Sequence, residues 1–399
     1  MRLEAVELRR IRLQLVSPFE TSFGVQTERD ILLVKAITGE GEGWGECVAT
    51  EEPTYSPEYV DGAQHVLIDH LLPRLFDRGE LTAAGVFGLL RPVHGHQMAK
   101  AAIECALLDA ELRSRNESFA HHLGAVREAV DCGVSVGIHP SVPELLEAVA
   151  GYVEAGYRRI KLKIKPGWDV EPVRAVRERF PTIPLQVDAN TAYSLAEAKH
   201  LGELDAFGLL LIEQPFPEDQ MLAHAKLARQ IRTPVCLDES IHSLQAAADA
   251  IELGACSIIN IKPGRVGGYL EARRIHDLCA EHSIPVWMGG MLETGIGRAG
   301  NVAMAAMANF TLPGDTSASD RYYHQDIVTE PFVLHDGRLK VPSGPGLGVT
   351  VDENRLREVT TAVEMVRQRA SPSGPGRRPA DHEVTHRGRA GGGSEAPDT

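Results

Sequence analysis

The 399-residue chain has little of what would mark it for a membrane, a nucleic acid or an oxidising compartment. Its most apolar stretch, 207–212, falls far short of the ~20 residues that span a bilayer. The N-terminus, MRLEAVELRRIRLQL, alternates charged and apolar residues and so lacks the unbroken apolar core of a signal peptide. Basic residues are in the minority, 41 Lys and Arg against 55 Asp and Glu, for a net charge of −14. Such a chain repels phosphate backbones, and no nucleic-acid partner is expected. The six cysteines, at 47, 105, 132, 236, 256 and 279, form no C-x-x-C pair. They are expected as buried core thiols in a reducing, cytoplasmic setting rather than as disulfides or zinc ligands. What remains is an ordinary globular composition, 43% hydrophobic and 24% charged, with room for two or three domains.

The pattern along the chain changes three times. Residues 1–125 carry alternating stretches at 3–15 and 30–37, the strand-like GEGWGEC at 41–47, and helical periodicity near 57–76 and 98–115. Strands followed by helices predict an α+β domain. Over 126–325, short apolar runs alternate with amphipathic segments: GVSVGI (133–138), IKLKI (160–164), PLQVDA (184–189), GLLLIEQ (208–214), PVCLDE (234–239), SIINIK (257–262), IPVWMGG (284–290) and NFTLPGD (309–315). Eight strands in series with helices between them predict a closed α/β barrel, with an open doubly wound sheet as the other architecture. Residues 326–370 return to strand-like text and end in a predicted helix over 353–369, expected to pack back on the first domain. The last segment, 371–399, is rich in Gly, Pro and charge and is expected to be disordered.

The polar residue that closes each barrel strand recurs at a near-constant interval. Ser135, Lys163, Asp188, Glu213, Asp238 and Lys262 are separated by 28, 25, 25, 25 and 24 residues. One β/α unit is about that long, so these residues occupy equivalent C-terminal strand ends, where barrels place their active sites. Adjacent strands of an eight-stranded ring are about 45° apart, which sets Lys163 and Lys262 on opposite sides of the mouth. Asp188, Glu213 and Asp238 then converge between them. Three carboxylates in a dry site repel one another unless a cation sits among them, and an all-oxygen set favours Mg²⁺, then Mn²⁺. A carboxylate substrate could complete the metal's shell. Two lysines on opposite faces of it could then move a proton at its α-carbon, with the metal stabilising the enediolate. Lys161 lies two residues before Lys163 on the same strand face, and its charge would lower the Lys163 pKa. Gly264, Gly267 and Gly268 read as a tight β–α turn more than as a phosphate cradle. His94 and His96 read as loop residues more than as metal ligands.

These motifs, KLK (161–163), DAN (188–190), IEQP (212–215), LDES (237–240) and NIKPGRVGG (260–268), resemble those of the enolase superfamily, in particular its muconate-lactonizing subgroup. The resemblance covers residues 1 to about 368. It implies a (β/α)₇β modified TIM barrel beneath an N-terminal α+β capping domain. It also implies a metal-dependent enzyme, with Lys163 and Lys262 catalytic, Asp188, Glu213 and Asp238 on Mg²⁺ or Mn²⁺, and Lys161, Asn190 and Glu239 in support. The segments SPFETSFG (17–24) and MGGMLETGIGRA (288–299) are similar to the o-succinylbenzoate synthase / N-acylamino acid racemase family. That likeness implies a lid near residues 19–24, with Phe19, Phe23 and Tyr55 lining an acyl or succinyl pocket. It further implies that Ser135 holds substrate and that Gly290, Met291, Glu293 and Thr294 form another wall. The implied reactions are the dehydration that makes o-succinylbenzoate for menaquinone, the racemisation of N-acyl- or N-succinyl-amino acids, or both. A muconate cycloisomerase and a non-catalytic carboxylate-binding barrel stay open. Asp315 lacks the second aspartate of a dipeptide epimerase's Asp-x-Asp pair. The resemblance also implies a homo-oligomer acting on a small-molecule carboxylate.

Overall fold

The computed structural model describes residues 1–368 and 383–386. The cap begins with three antiparallel strands, β1 (Leu3–Thr21), β2 (Gly24–Thr38) and β3 (Gly41–Cys47). Charged and apolar residues alternate along stretches of β1, and apolar residues of the sheet are buried on both of its faces. One face buries Ile11, Leu13, Ile31 and Leu33 toward the barrel, and the other buries Leu8, Leu32 and Val34 under the cap helices. The helix Gln97–Ser114 lies directly on β3. The glycines of GEGWGEC allow that approach, because a Cβ on Gly43 or Gly45 would sit about 2 Å from the helix backbone.

Seven parallel strands follow, hydrogen-bonded in chain order: β5 (Gly133–Val136), β6 (Arg159–Lys163), β7 (Leu185–Asp188), β8 (Ile212–Glu213), β9 (Val235–Leu237), β10 (Ile258–Ile261) and β11 (Val286–Met288). A helical segment follows each of them, ending with Gly295–Ala305. The expected eighth strand, 309–315, is not a regular strand, but it joins the two edges of the sheet. Phe310 bridges to Val286, Gly314 bridges to Cys132, and the Asp315 amide donates to the Met288 carbonyl at 2.8 Å. The architecture is the (β/α)₇β modified barrel. A short β4 (Ala129–Asp131) pairs with β12 (Arg338–Lys340). All six cysteines are free and buried, and among the described residues no helix is long and apolar enough to cross a membrane.

The predicted helix over 353–369 divides in two. Glu353–Val359 is helical, started by the Asp352 carboxylate, which accepts from the Asn354 and Arg355 amides. From Thr360 the chain becomes β13 (Thr360–Arg367), antiparallel to β1. Thr360, Thr361, Val363 and Val366 are β-branched, and the open edge of β1 satisfies their backbone. Residues 383–386 pair in turn with β13. The rest of the tail expected to be disordered lies outside the described residues. The possible phosphate cradle is also accounted for. Gly267 and Gly268, at φ of 99° and 142°, form the tight turn, and the Glu104 carboxylate already accepts from the Tyr269 and Leu270 amides at 3.0 and 2.9 Å.

Candidate active site

Strand register assembles the site. Lys163 on β6 is paired with Asp188 on β7, which is paired with Glu213 on β8. Asp238 and Lys262 are the residues immediately after β9 and β10. The carboxylates of Asp188, Glu213 and Asp238 are buried to within 1% of full burial, so their partners decide their state. The Lys163 ammonium donates to Asp188 Oδ2 at 2.7 Å and to Asn190 Oδ1 at 2.6 Å. Lys161 contacts Asp188, Glu213 and Asp315 at 3.1, 3.0 and 2.7 Å. Lys262 donates to Asp238 Oδ2 at 2.7 Å and to the Tyr55 hydroxyl at 3.0 Å, and the Tyr55 hydroxyl donates to Asp238 Oδ1 at 3.2 Å.

A surrounding layer fixes these groups. Asn190 donates from Nδ2 to Glu239 at 2.9 Å, and Asn260 donates to Glu213 Oε1 at 2.6 Å. Arg265 pairs with Asp238 and donates to the Ile241 carbonyl at 2.7 Å. Arg159 pairs with Asp315 at 2.8 Å. The backbone leaving the strands is strained. Asn190, Thr191 and Gln214 have φ of 41°, 65° and 37°, and a β-branched Thr191 there is costly. The Thr191 amide, donating to the Gln214 carbonyl at 2.8 Å, ties the two strained segments together.

A cleft opens over the lysines. Its barrel side includes Ser135, Lys161, Lys163, Asn190, Lys262, Gly290 and Met291, and the cap contributes Phe19, Phe23 and Tyr55. The tip of the β1–β2 hairpin reaches the barrel mouth. Ser22 donates to the Asn190 carbonyl at 3.0 Å, and the Ile138 amide donates to the Glu20 carbonyl at 3.0 Å. The Ser135 hydroxyl is buried in the cleft wall without a hydrogen-bond partner. Glu293 and Thr294 stand behind the wall rather than in it. Glu293 accepts from Asn301 at 2.9 Å, and Thr294 starts the helix Gly295–Ala305 with its hydroxyl accepting from the Ile296 amide and donating to Glu46 at 2.6 Å.

Burial and neighbours set the protonation balance. Burial lowers the Lys163 pKa despite the attraction of Asp188, and the nearby Lys161 charge adds to the drop. Lys262 goes the other way. Burial again pulls it down, but Tyr55, Glu239 and Glu213 outweigh that and raise it. Burial alone would raise Asp188, but Lys163 and Lys161 hold it well below the usual carboxylate range. Glu213 rises through burial and the adjacent Asp188 charge, and Glu239, also buried, is pushed up to about 7.

Two family models match the chain. Residues 5–124 match the mandelate racemase / muconate lactonizing enzyme N-terminal domain, and 144–355 match the enolase C-terminal domain-like family. The chain belongs to the enolase superfamily. It is 64% identical to an N-succinylamino acid racemase of an Amycolatopsis species, over 91% of this chain and 98% of that protein. It is 46% identical to an o-succinylbenzoate synthase of Geobacillus kaustophilus, over 92% and 99%. A solved superfamily member from Listeria innocua superposes with a TM-score of 0.89 at 41% identity, covering 92% of this chain and all of that one.

Enolase-superfamily enzymes of this kind are metal-dependent. Among the described residues no three carboxylate, imidazole or thiol groups are gathered as closely as an ion requires; Asp188, Glu213 and Asp238 turn to the lysines and Arg265 instead. The donor chemistry nevertheless fits a hard cation. All three are oxygen ligands at the ends of consecutive strands, and Asp188 and Glu213 are register partners on adjacent strands. Sequence reasoning missed Arg265, Asn260 and Arg29, and noted Asp315 only as lacking a second aspartate. Asn260 carried a signal: it precedes Lys262 by two residues, as Lys161 precedes Lys163, and so shares its strand face.

Proposed function

We propose that the chain is a Mg²⁺-dependent enzyme that abstracts a proton α to a carboxylate. It dehydrates its substrate to o-succinylbenzoate and also racemises N-succinyl-amino acids at the same site. The observation that carries this reading is the pair Lys163 and Lys262, both opening on one buried cleft, with three strand-end carboxylates between their strands. Asp188, Glu213 and Asp238 would hold the metal, with Mn²⁺ as a substitute. When bound, the metal supplies a positive charge that stabilises the negative charge developing on the substrate carboxylate.

The residues of the chain do the rest. In the dehydration, Lys163 removes the α-proton and delivers it to the departing hydroxide as water. Lys262 faces the opposite side of the substrate as an ammonium and stabilises the charge. In racemisation, one lysine takes the proton from one face of the α-carbon and the other returns a proton to the opposite face. Asn190 orients Lys163, and Tyr55 and Asp238 orient Lys262. The unpartnered Ser135 hydroxyl is free to donate to the substrate. Phe19 and Phe23 close the cleft against water.

A dedicated N-succinylamino acid racemase is the second reading, favoured by the relative at 64% identity. The deciding experiment compares kcat/KM for the o-succinylbenzoate precursor with that for N-succinyl- and N-acetyl-amino acids, with Mg²⁺ supplied. Turnover of both classes is expected. Racemisation without dehydration would leave the dedicated racemase, and neither activity would reject both readings.

A further inference from the structure

Arg29 is the unexplained charge in this cleft. It lies on β2, on the same sheet face as Ile31 and Leu33, and reaches the cavity wall from the cap side. Only 3% of it is exposed, yet among the described residues it forms no ion pair. Its Nε has no hydrogen-bond partner, and one terminal nitrogen makes a single long bond, 3.4 Å, to the Val48 carbonyl. Two nearby carboxylates are engaged elsewhere. Asp30 is held by Arg10, and Glu46, on the adjoining β3, accepts from Thr294 and Gly297. A buried guanidinium without a counter-charge is costly, and buried charges are normally paired. The lysines that line the same cleft, Lys161, Lys163 and Lys262, all have carboxylate partners.

The cavity around it is polarised. Beside Arg29 the cap wall carries Thr21, Gln26 and Thr50, whereas Phe19 and Phe23 form its apolar part. A guanidinium fork with an unpartnered Nε edge suits a planar carboxylate gripped through two parallel N–H bonds. The geometry points to Arg29 as the residue that holds a second carboxylate, at the far end of the substrate from the reacting one. Resting on the proposed function, this assigns the substrate class: dianions whose second carboxylate ends a short chain, of which a succinyl group is one. Arg29 is a specificity-determining residue, distant from proton transfer.

The test uses Arg29→Met and Arg29→Lys in the full chain with Mg²⁺. Racemisation is followed for N-succinyl-phenylalanine and for N-acetyl-phenylalanine, which lacks the second carboxylate. In Arg29→Met the ratio of kcat/KM for succinyl over acetyl substrate should fall by about 10- to 100-fold, mainly through KM, and Arg29→Lys should recover part of it. An equal fall for both substrates would mean that Arg29 only supports the fold, and an unchanged ratio would mean that it binds nothing; either overturns the assignment. Calorimetric binding of N-succinylglycine against N-acetylglycine separates this from the functional reading. A wild-type preference for N-succinylglycine that Arg29→Met abolishes supports the site even if wild type racemises neither substrate. No such preference overturns it.

Discussion

The barrel mouth and the cap meet at one cleft and are built by opposite rules. At the mouth, Lys161, Lys163, Lys262 and Arg265 are matched against Asp188, Glu213, Asp238 and Asp315, and every pair is buried. In the cap wall the contacts are aromatic, with Phe23 and Tyr55 at 6.4 Å between ring centroids, and the buried Arg29 there has no ion-pair partner among the described residues. Rigid strands carry the matched charges, where a displacement of an ångström matters. A hairpin tip carries the apolar wall. The contrast indicates that the barrel performs the proton transfer and the cap selects what enters.

Three changes probe this division. The largest effect should come from Lys163→Ala, which lowers turnover by ~10²–10⁴-fold while circular dichroism stays native, because Lys161 still pairs with Asp188. Full activity in that variant would remove the barrel from the chemistry. Next comes the joint between the regions, where Glu46 of the cap accepts from the Thr294 and Gly297 amides of the barrel. Burial, reinforced by Glu293, raises the Glu46 pKa to about 7 from its ordinary 4.5. Its folded pKa lies above its unfolded one, so its stabilisation is complete below about pH 4.5 and is lost as pH rises through about 7. Between pH 5 and 8 the wild type should lose ~1–3 kcal/mol relative to Glu46→Gln, read from urea unfolding at both pH values. The smallest effect belongs to the cap wall. Phe23→Ala should raise KM roughly 5–10-fold with little change in kcat, from the loss of about 1 kcal/mol of apolar contact.

The barrel was legible in the sequence because each β/α unit has nearly the same length, so that Lys163, Asp188, Glu213, Asp238 and Lys262 recur with the fold's own period. The cap has no such period. Charged residues in an alternating strand such as ERDILLV read as its solvent face, which hides Arg29, whose side chain the sheet turns toward the barrel. Arg265 sits in a Pro- and Gly-rich turn, a context in which arginine is usually solvated, and tertiary hydrogen bonds to the Ile241 carbonyl, the Asn260 carbonyl and the Tyr55 hydroxyl hold it against Asp238. The segment 353–367 contains no Gly or Pro to mark where helix gives way to strand. The partner that stops the helix is β1, some 350 residues away in the chain.

The central claim is that Lys163 and Lys262 serve opposite faces of one α-carbon. Nuclear magnetic resonance of α-proton exchange in D₂O tests it most directly, using the two enantiomers of an N-succinyl-amino acid with wild type, Lys163→Ala and Lys262→Ala. Wild type should exchange both enantiomers. Each variant should lose racemisation and retain exchange of one enantiomer only, the retained enantiomer differing between the two variants. Loss of exchange for the same enantiomer in both variants, or exchange of both enantiomers by either one, would contradict the account.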